Sequence, residues 1–136
     1  MSSAYPYRGR GSPIFGKVLR PLVDFEVMSE LTGDWVRIED ALADTGADAS
    51  VLPLHIGLLV VNKVASGKRY VVHGVVPGAS LSVFLHEVDC RIGRRRFTAP
   101  ILIADSMDVP AILGRAGAID RWRATYAHGR LLRIRM

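Results

Sequence analysis

The stretch Ala41-Leu42-Ala43-Asp44-Thr45-Gly46-Ala47 decides the fold of this chain, because an acidic residue directly follows an apolar run. A carboxylate at the end of a buried strand loses hydration unless it has a partner, and this loss is costly for stability. A glycine-containing turn that keeps the acid in such a position therefore indicates catalysis at Asp44. The alternative is that Asp44 is an ordinary turn residue that bonds its own backbone.

A second apolar string, Ala111-Ile112-Leu113-Gly114-Arg115, follows about seventy residues after Asp44. The two strings together resemble the paired signature of the retropepsin-like aspartic proteases, the single-domain relatives of the retroviral proteases. The resemblance covers about residues 21–119 and includes Asp-Thr-Gly at 44–46. Because the second string is present, we prefer catalysis to a simple turn at Asp44.

The resemblance implies an all-β fold: a small closed acid-protease barrel with a flap hairpin and one short C-terminal helix, in a dimer. The residues permit this fold, since short apolar or alternating segments separated by Gly and Pro predict a mostly antiparallel β chain. These segments are residues 21–27, 35–38, 41–43, 70–72, 81–88, 97–104 and 131–134. Residues 116–122 favour a short helix, and residues 53–58 favour a single helical turn.

The chain has 136 residues, of which 49% are hydrophobic, so we expect one globular domain. We assign residues 20–136 to a retropepsin-like protease domain and residues 1–19 to a basic, flexible N-terminal arm. Aspartic protease chemistry uses two carboxylates, whereas this chain has a single Asp-Thr-Gly. A working enzyme would therefore be a homodimer that takes its second aspartate from an identical subunit.

The resemblance assigns catalytic roles to Asp44, Thr45 and Gly46. The two Asp44 carboxylates of a dimer would share one proton; one would activate a water and the other would polarise the peptide carbonyl. The threonine hydroxyls would bond across the dimer axis, and Gly46 would let the substrate backbone approach closely. The alternative for Thr45 is an ordinary turn hydroxyl.

The resemblance also implies a structural pair between Asp48 and Arg115 beneath the site, for which the fork of an arginine is well suited. Arg20 matches a family arginine that reaches the aspartate equivalent to Asp48 in the neighbouring subunit.

The segment from 73 to 80 is the candidate flap, a hairpin that would close over the substrate and exclude water. It departs from the viral pattern at Pro77, which stiffens the tip and removes a backbone donor. The alternatives are a rigid hairpin without this role and, for the apolar pocket residues, a place in the core. The substrate-binding residues implied by the resemblance are Leu42, Ala47, Asp48, Gly74, Val75, Val76, Pro77, Gly78, Pro110 and Ile112.

The formal charge of +5 comes mainly from arginine, and we interpret it as a solvated surface. The triplet Arg94-Arg95-Arg96 is interpreted as a charged hairpin tip. Cys90 is the single cysteine, which excludes an intrachain disulfide, and the four histidines lack ligand spacing, so we expect no metal and no cofactor. No apolar run is long enough to span a membrane or serve as a signal peptide, so we expect no membrane partner and a cytoplasmic location.

Three functions compete at this point. The first is a homodimeric aspartic endopeptidase that hydrolyses extended, largely apolar peptide segments. The second is a non-catalytic dimer of the same fold that binds a peptide or a partner protein. The third is a small basic β-barrel that binds nucleic acid, which we rank last because the few aromatic residues are scattered along the chain.

Overall fold

The computed structural model describes residues 2–73 and 78–136 of the chain, and strands dominate them. The strands are β1 (Ser2–Pro6), β2 (Arg8–Ser12), β3 (Gly16–Arg20), β4 (Leu22–Met28), β5 (Trp35–Ala43), β6 (Ser50–Leu52), β7 (Lys68–His73), β8 (Ser80–Ile92), β9 (Arg95–Ala104), β10 (Ile112–Leu113), β11 (Arg123–Ala127) and β12 (Leu131–Arg135). The helix α1 covers Leu54–Val60, and two 3₁₀ turns cover Val64–Ser66 and Ile119–Arg121.

Six strands form a closed barrel in the order β4-β5-β10-β6-β9-β8, and β8 pairs back with β4. Closure leaves no free edge among these six strands, while β7 extends β8 outside the barrel. The pairs β5–β10 and β6–β9 are parallel, and the other pairs of the barrel are antiparallel. The predicted all-β closed barrel with a short helix is confirmed; dimerisation stays a prediction.

Side chains of alternating strand positions fill the barrel. In β4, Val23, Phe25 and Val27 are buried, as period-two alternation requires. Helix α1 covers one side of β9, where a Cβ on Gly57 would lie 2.3 Å from the Cγ2 atom of Ile103. A glycine at position 57 is therefore what allows the helix to approach the sheet this closely.

The helical segments differ in length from those predicted. The C-terminal helix expected over 116–122 is reduced to the 3₁₀ turn, because Gly117 has a φ of +66° and Ala118 also departs from helical angles. The single turn expected over 53–58 is instead the helix α1, which extends to Val60. Within the described residues, no helix is long and apolar enough to cross a bilayer.

The N-terminal segment, for which the sequence predicts a basic arm, contains three strands. β1 pairs antiparallel with β12, and β2 and β3 form a separate hairpin. Tyr5 and Tyr7 pack against the core. β1 is a strand because it pairs with β12 at the far end of the chain, and no local sequence pattern reveals this pairing. The mobility of the arm in solution stays a prediction.

A network of charged groups anchors the β2–β3 hairpin to the barrel. Asp24 accepts hydrogen bonds from the Asp40 backbone N–H at 2.9 Å, from Arg8 at 3.0 Å and from Arg37 at 2.8 Å. Asp40 pairs with Arg8 and, at 2.8 Å, with Arg10. The basic residues of the hairpin are thus partly neutralised by acids of β4 and β5.

The pKa values of three carboxyl groups are lowered by ion pairs: those of Asp24 and Asp40 in this network, and that of Glu26, which pairs with Arg91 at 3.0 Å. Partial burial acts to raise the pKa of Asp24, but bonds from the Asp40 amide and from Arg8 bring it below its ordinary value of 3.8. The pKa of Asp40 is lowered chiefly by Arg10, and that of Glu26 by Arg91. Because the folded-state pKa values are depressed, this stabilisation is complete above the ordinary values of 3.8 and 4.5 and is lost as the pH falls below them.

The variant Asp24→Asn should lower the free energy of unfolding at pH 7 by about 1–3 kcal/mol, because two arginines lose their charged acceptor. Urea denaturation measures the change, and Asp108→Asn is the matched control, since Asp108 is exposed and takes part in no ion pair of the described chain. The difference between the variant and the wild type should shrink towards pH 3, where Asp24 becomes protonated in the unfolded chain. A difference that is constant over this pH range would contradict the assignment.

Candidate active site

The two sequence strings lie side by side in the barrel. β10 pairs in parallel with β5, so Ile112 lies opposite Leu42 and Leu113 lies opposite Ala43. The backbone N–H of Asp44 donates to the carbonyl of Leu113 at 3.0 Å. The strand pairing therefore extends as far as the acidic residue and fixes its backbone.

A tight turn holds the Asp44 side chain. The N–H of Gly46 donates to Asp44 Oδ1 at 2.8 Å, and the N–H of Ala47 donates to the Asp44 carbonyl at 3.2 Å. A Cβ on Gly46 would lie 3.1 Å from the same Oδ1 atom, so a larger residue would press on the carboxylate. Asp44 is half-buried, whereas Thr45 and Gly46 are exposed. The carboxylate is thus oriented by its own loop and remains open to solvent on one side.

The loop after Asp44 interlocks with the segment after β10. The N–H of Gly114 donates to the hydroxyl of the buried Ser50 at 2.9 Å. The N–H groups of Arg115 and Ala116 donate to the carbonyls of residues 47 and 48 at 3.0 and 2.8 Å. A Cβ on Gly114 would lie 2.3 Å from the carbonyl carbon and oxygen of Ala49. The contact therefore requires glycine at position 114.

The structure does not form the side-chain pair predicted between Asp48 and Arg115. Arg115 Nε lies 3.2 Å from Asp120 Oδ1 instead, and both side chains are about half exposed. The reason is that the backbone of Arg115 already bonds the 47–50 loop, and the short turn after it brings Asp120 within reach of its guanidinium. Backbone hydrogen bonds, not an ion pair, join the two loops.

The C-terminal hairpin packs beneath the strand that carries Asp44. The hydroxyl of Tyr126 donates to the Ala43 carbonyl at 3.3 Å. Burial raises the pKa of Tyr126, and nearby Tyr7 and the negative charge of Asp44 add to the effect. Sequence reasoning missed both Tyr126 and Ser50, because neither belongs to one of the two motifs and their own segments do not reveal the distant residues that they support.

The structure brings together part of the predicted substrate-binding set. Leu42 and Ile112 are half-buried partners next to Asp44, and Ala47 and Asp48 belong to the same interlocked loop. Pro110 is exposed and precedes β10.

The strands of the candidate flap form an antiparallel hairpin, in which His73 lies opposite Ser80. The predicted residues Gly74, Val75, Val76 and Pro77 lie outside the described residues, and Gly78 directly follows them with a φ of +85°. Every residue of β7 is exposed, including Val71 and Val72. The hairpin therefore presents apolar side chains to solvent.

The described residues hold neither a metal-binding cluster nor a reactive thiol. Among residues 2–73 and 78–136, no three His, Cys, Asp or Glu side chains are grouped so that they could hold a metal ion. Burial, aided by Asp89, raises the pKa of the Cys90 thiol to about 12, so this thiol stays protonated and unreactive at neutral pH.

Comparison with known proteins shows a similarity to a solved protease structure. No protein-family model and no curated protein matches the chain. Among solved structures, the chain is similar to EIAV protease in complex with the inhibitor HBY-793, with 28% identity and a TM-score of 0.47. The match covers 71% of this chain and 82% of the EIAV chain.

The variant Gly114→Ala should destabilise the fold by about 1–3 kcal/mol, because its Cβ overlaps the Ala49 backbone and overpacks the interlock. The free energy of unfolding in urea measures the effect. Gly11→Ala is the matched control, since a Cβ at Gly11 would meet nothing within 4 Å. Equal stability of the two variants would show that the interlock tolerates a side chain.

Proposed function

We propose that this chain is a homodimeric aspartic endopeptidase that cleaves extended, largely apolar peptide segments. The observation that supports it most is the pairing of the two sequence strings, which bonds the half-exposed Asp44 to Leu113 at 3.0 Å while Gly46 holds one of its carboxylate oxygens at 2.8 Å. A carboxylate so oriented has an oxygen free to exchange a proton with a bound water.

The second carboxylate would come from an identical subunit. Two Asp44 carboxylates placed close together cannot both ionise, so they would share one proton and titrate as a pair. The ionised group would take a proton from water, which attacks the scissile carbonyl. The protonated group would polarise that carbonyl and then donate its proton to the leaving amine. Activity should therefore be highest at acidic to near-neutral pH.

Neighbouring groups would position the subunits and the substrate. Thr45 is exposed next to Asp44, as a hydroxyl that bonds across a dimer axis would have to be. The carbonyl of Pro21 accepts a bond from Ala43 at 2.9 Å. This bond places the exposed Arg20 near the end of the Asp44 strand, from which it would reach Asp48 of a neighbouring copy.

The apolar preference would come from two surfaces. Leu42 and Ile112 border the carboxylate, and the exposed Tyr70, Val71 and Val72 of the β7–β8 hairpin supply a second apolar surface. A hairpin that closes over a peptide would exclude water and bring these surfaces to opposite sides of the substrate.

The variant Asp44→Asn should abolish peptide cleavage, because an amide cannot act as the general base. Mass-spectrometric profiling of a peptide library between pH 3.5 and 7 measures cleavage by the wild type, Asp44→Asn and the control Asp108→Asn. Cleavage that persists in Asp44→Asn would refute the proposal. If all three proteins bind peptides without cutting them, the chain is the non-catalytic dimer instead.

Mixing experiments test whether two chains build one site. In an equal mixture of wild type and Asp44→Asn that has exchanged subunits, activity should fall to about a quarter of that of the same total amount of wild type, because only one dimer in four holds two aspartates. A fall to about a half would mean that each chain works alone. Sedimentation velocity of both proteins checks that they associate equally.

A further inference from the structure

The sheet formed by β1, β12 and β11 exposes an arginine-rich face. Arg123 lies directly opposite Arg135, and Arg133 lies opposite Thr125. Ser2 lies opposite Arg135 on the other side of β12. The alternating residues of β12 between them are buried, so the arginines share the solvent side. We call this face, with Ser2, Ala4, Arg123, Thr125, Arg133 and Arg135, the arginine face; all six residues are exposed.

The charges of the arginine face are not neutralised by acids of the described chain. Within residues 2–73 and 78–136, neither Arg123, Arg133 nor Arg135 takes part in an ion pair, in contrast to Arg8, Arg10 and others that do. Like charges placed directly across strands destabilise a sheet. The fold therefore carries an unfavourable arrangement that an anionic ligand would relieve.

The face also forms a groove, which has a volume of about 460 Å³. Its lining consists of Arg123, Arg133 and Arg135 with Ser2 and Thr125. Three arginines from two strands of the sheet thus lie along one groove on its solvent side.

We propose that the arginine face binds the phosphodiester backbone of a nucleic acid. Guanidinium groups match phosphate oxygens in a bidentate way, and the hydroxyls of Ser2 and Thr125 add donors between them. The face carries no aromatic side chain, so the contacts are to phosphates and binding is independent of base sequence. The scattered aromatics that argue against base stacking do not argue against this mode.

The composition of the face distinguishes nucleic acid from other anionic partners. A protein interface has buried aromatic or aliphatic anchors at its centre, and the face has none. An amphipathic membrane-binding surface also needs large exposed apolar anchors, whereas the apolar residues on this side of the sheet are the exposed Ala4 and Pro6 and the half-buried Ala127 and Leu131. Strongly basic, polar surfaces are typical of nucleic-acid interfaces.

The position of the face leaves Asp44 accessible. Tyr126 lies on the inner side of the same sheet, where its hydroxyl contacts the Ala43 carbonyl. The arginine face is on the outer side, so the thickness of the sheet separates it from the strand end that carries Asp44. A bound nucleic acid would therefore hold the protein near other nucleic-acid-bound proteins without covering the candidate active site.

Fluorescence anisotropy of labelled oligouridine and of a labelled DNA duplex tests the proposal with the full chain. The wild type should bind one or both. The logarithm of its affinity should fall linearly with the logarithm of the salt concentration. In R123T/R133T/R135T, affinity for the single strand should fall by at least about tenfold and the slope should decrease by about 2, because three phosphate contacts are lost. Threonine suits exposed strand positions, and Tm should be unchanged or higher once like charges are removed.

The variant K17T/K63T/K68T is the matched control, since it removes the same charge from other surfaces. Its affinity should fall much less than that of the arginine variant; equal losses would show a mere net-charge effect and overturn the proposal. R123K/R133K/R135K keeps the charge and should retain the salt slope of the wild type. If the triple threonine variant fails to fold, R133T alone serves as the test, and its salt slope with the single strand should decrease by about 0.7.

Three further results would also overturn the proposal. One is no binding by the wild type at 50 mM salt. The second is arginine-dependent binding to phosphatidylserine vesicles without binding to either nucleic acid. The third is binding to an acidic protein but to neither nucleic acid. Asp44→Asn should bind the oligonucleotides as the wild type does, which separates this proposal from the protease proposal.

Discussion

The backbone contact between the 47–50 loop and the 114–116 segment is the interaction on which the rest of the structure depends. β10 has two residues, yet it is the strand that joins β5 to β6 and so closes the barrel on this side. Its short ladder is extended by the bonds from Gly114 to Ser50 and from Arg115 to Ala47. The same bonds support the turn that orients Asp44. Barrel closure and carboxylate orientation therefore have one physical origin.

The arginines of this basic chain are divided among distinct environments. Arg8 and Arg10 pair with acids of β4 and β5 and hold the N-terminal hairpin, whereas Arg37 of β5 pairs with Asp24 of β4. Arg91 and Arg96 lie 4.4 and 5.3 Å from the centre of the Trp35 ring, a cation–π arrangement that is favourable for both. These residues have their own partners, whereas Arg123, Arg133 and Arg135 of the arginine face have no ion pair in the described chain.

Sequence reasoning succeeded where the interactions join residues close together in the chain and failed where they join distant ones. The expected separation of strands by glycine is present: Gly33, Gly93 and Gly129 lie between consecutive strands, and all three have positive φ values. Turn chemistry of this kind acts within four residues. The hairpin tip predicted for the arginine triplet is only partly right, because Arg95 and Arg96 already belong to β9. Arg115 lies next to Asp120 in this chain rather than next to the predicted Asp48, and nothing local distinguishes the two acids as its acceptor.

The sequence by itself determined the β character of the chain, the approximate positions of six of the strands and the position of the Asp44 turn, because alternation and glycine act locally. These six strands are β4, β5, β7, β8, β9 and β12. The tertiary structure alone decided which distant residues meet. It placed Ser50 beneath Gly114, Tyr126 beneath Ala43 and β1 beside β12. It also gathered separate arginines onto one face. These contacts join residues far apart along the chain, and their energies depend on barrel closure, which no short stretch of sequence specifies.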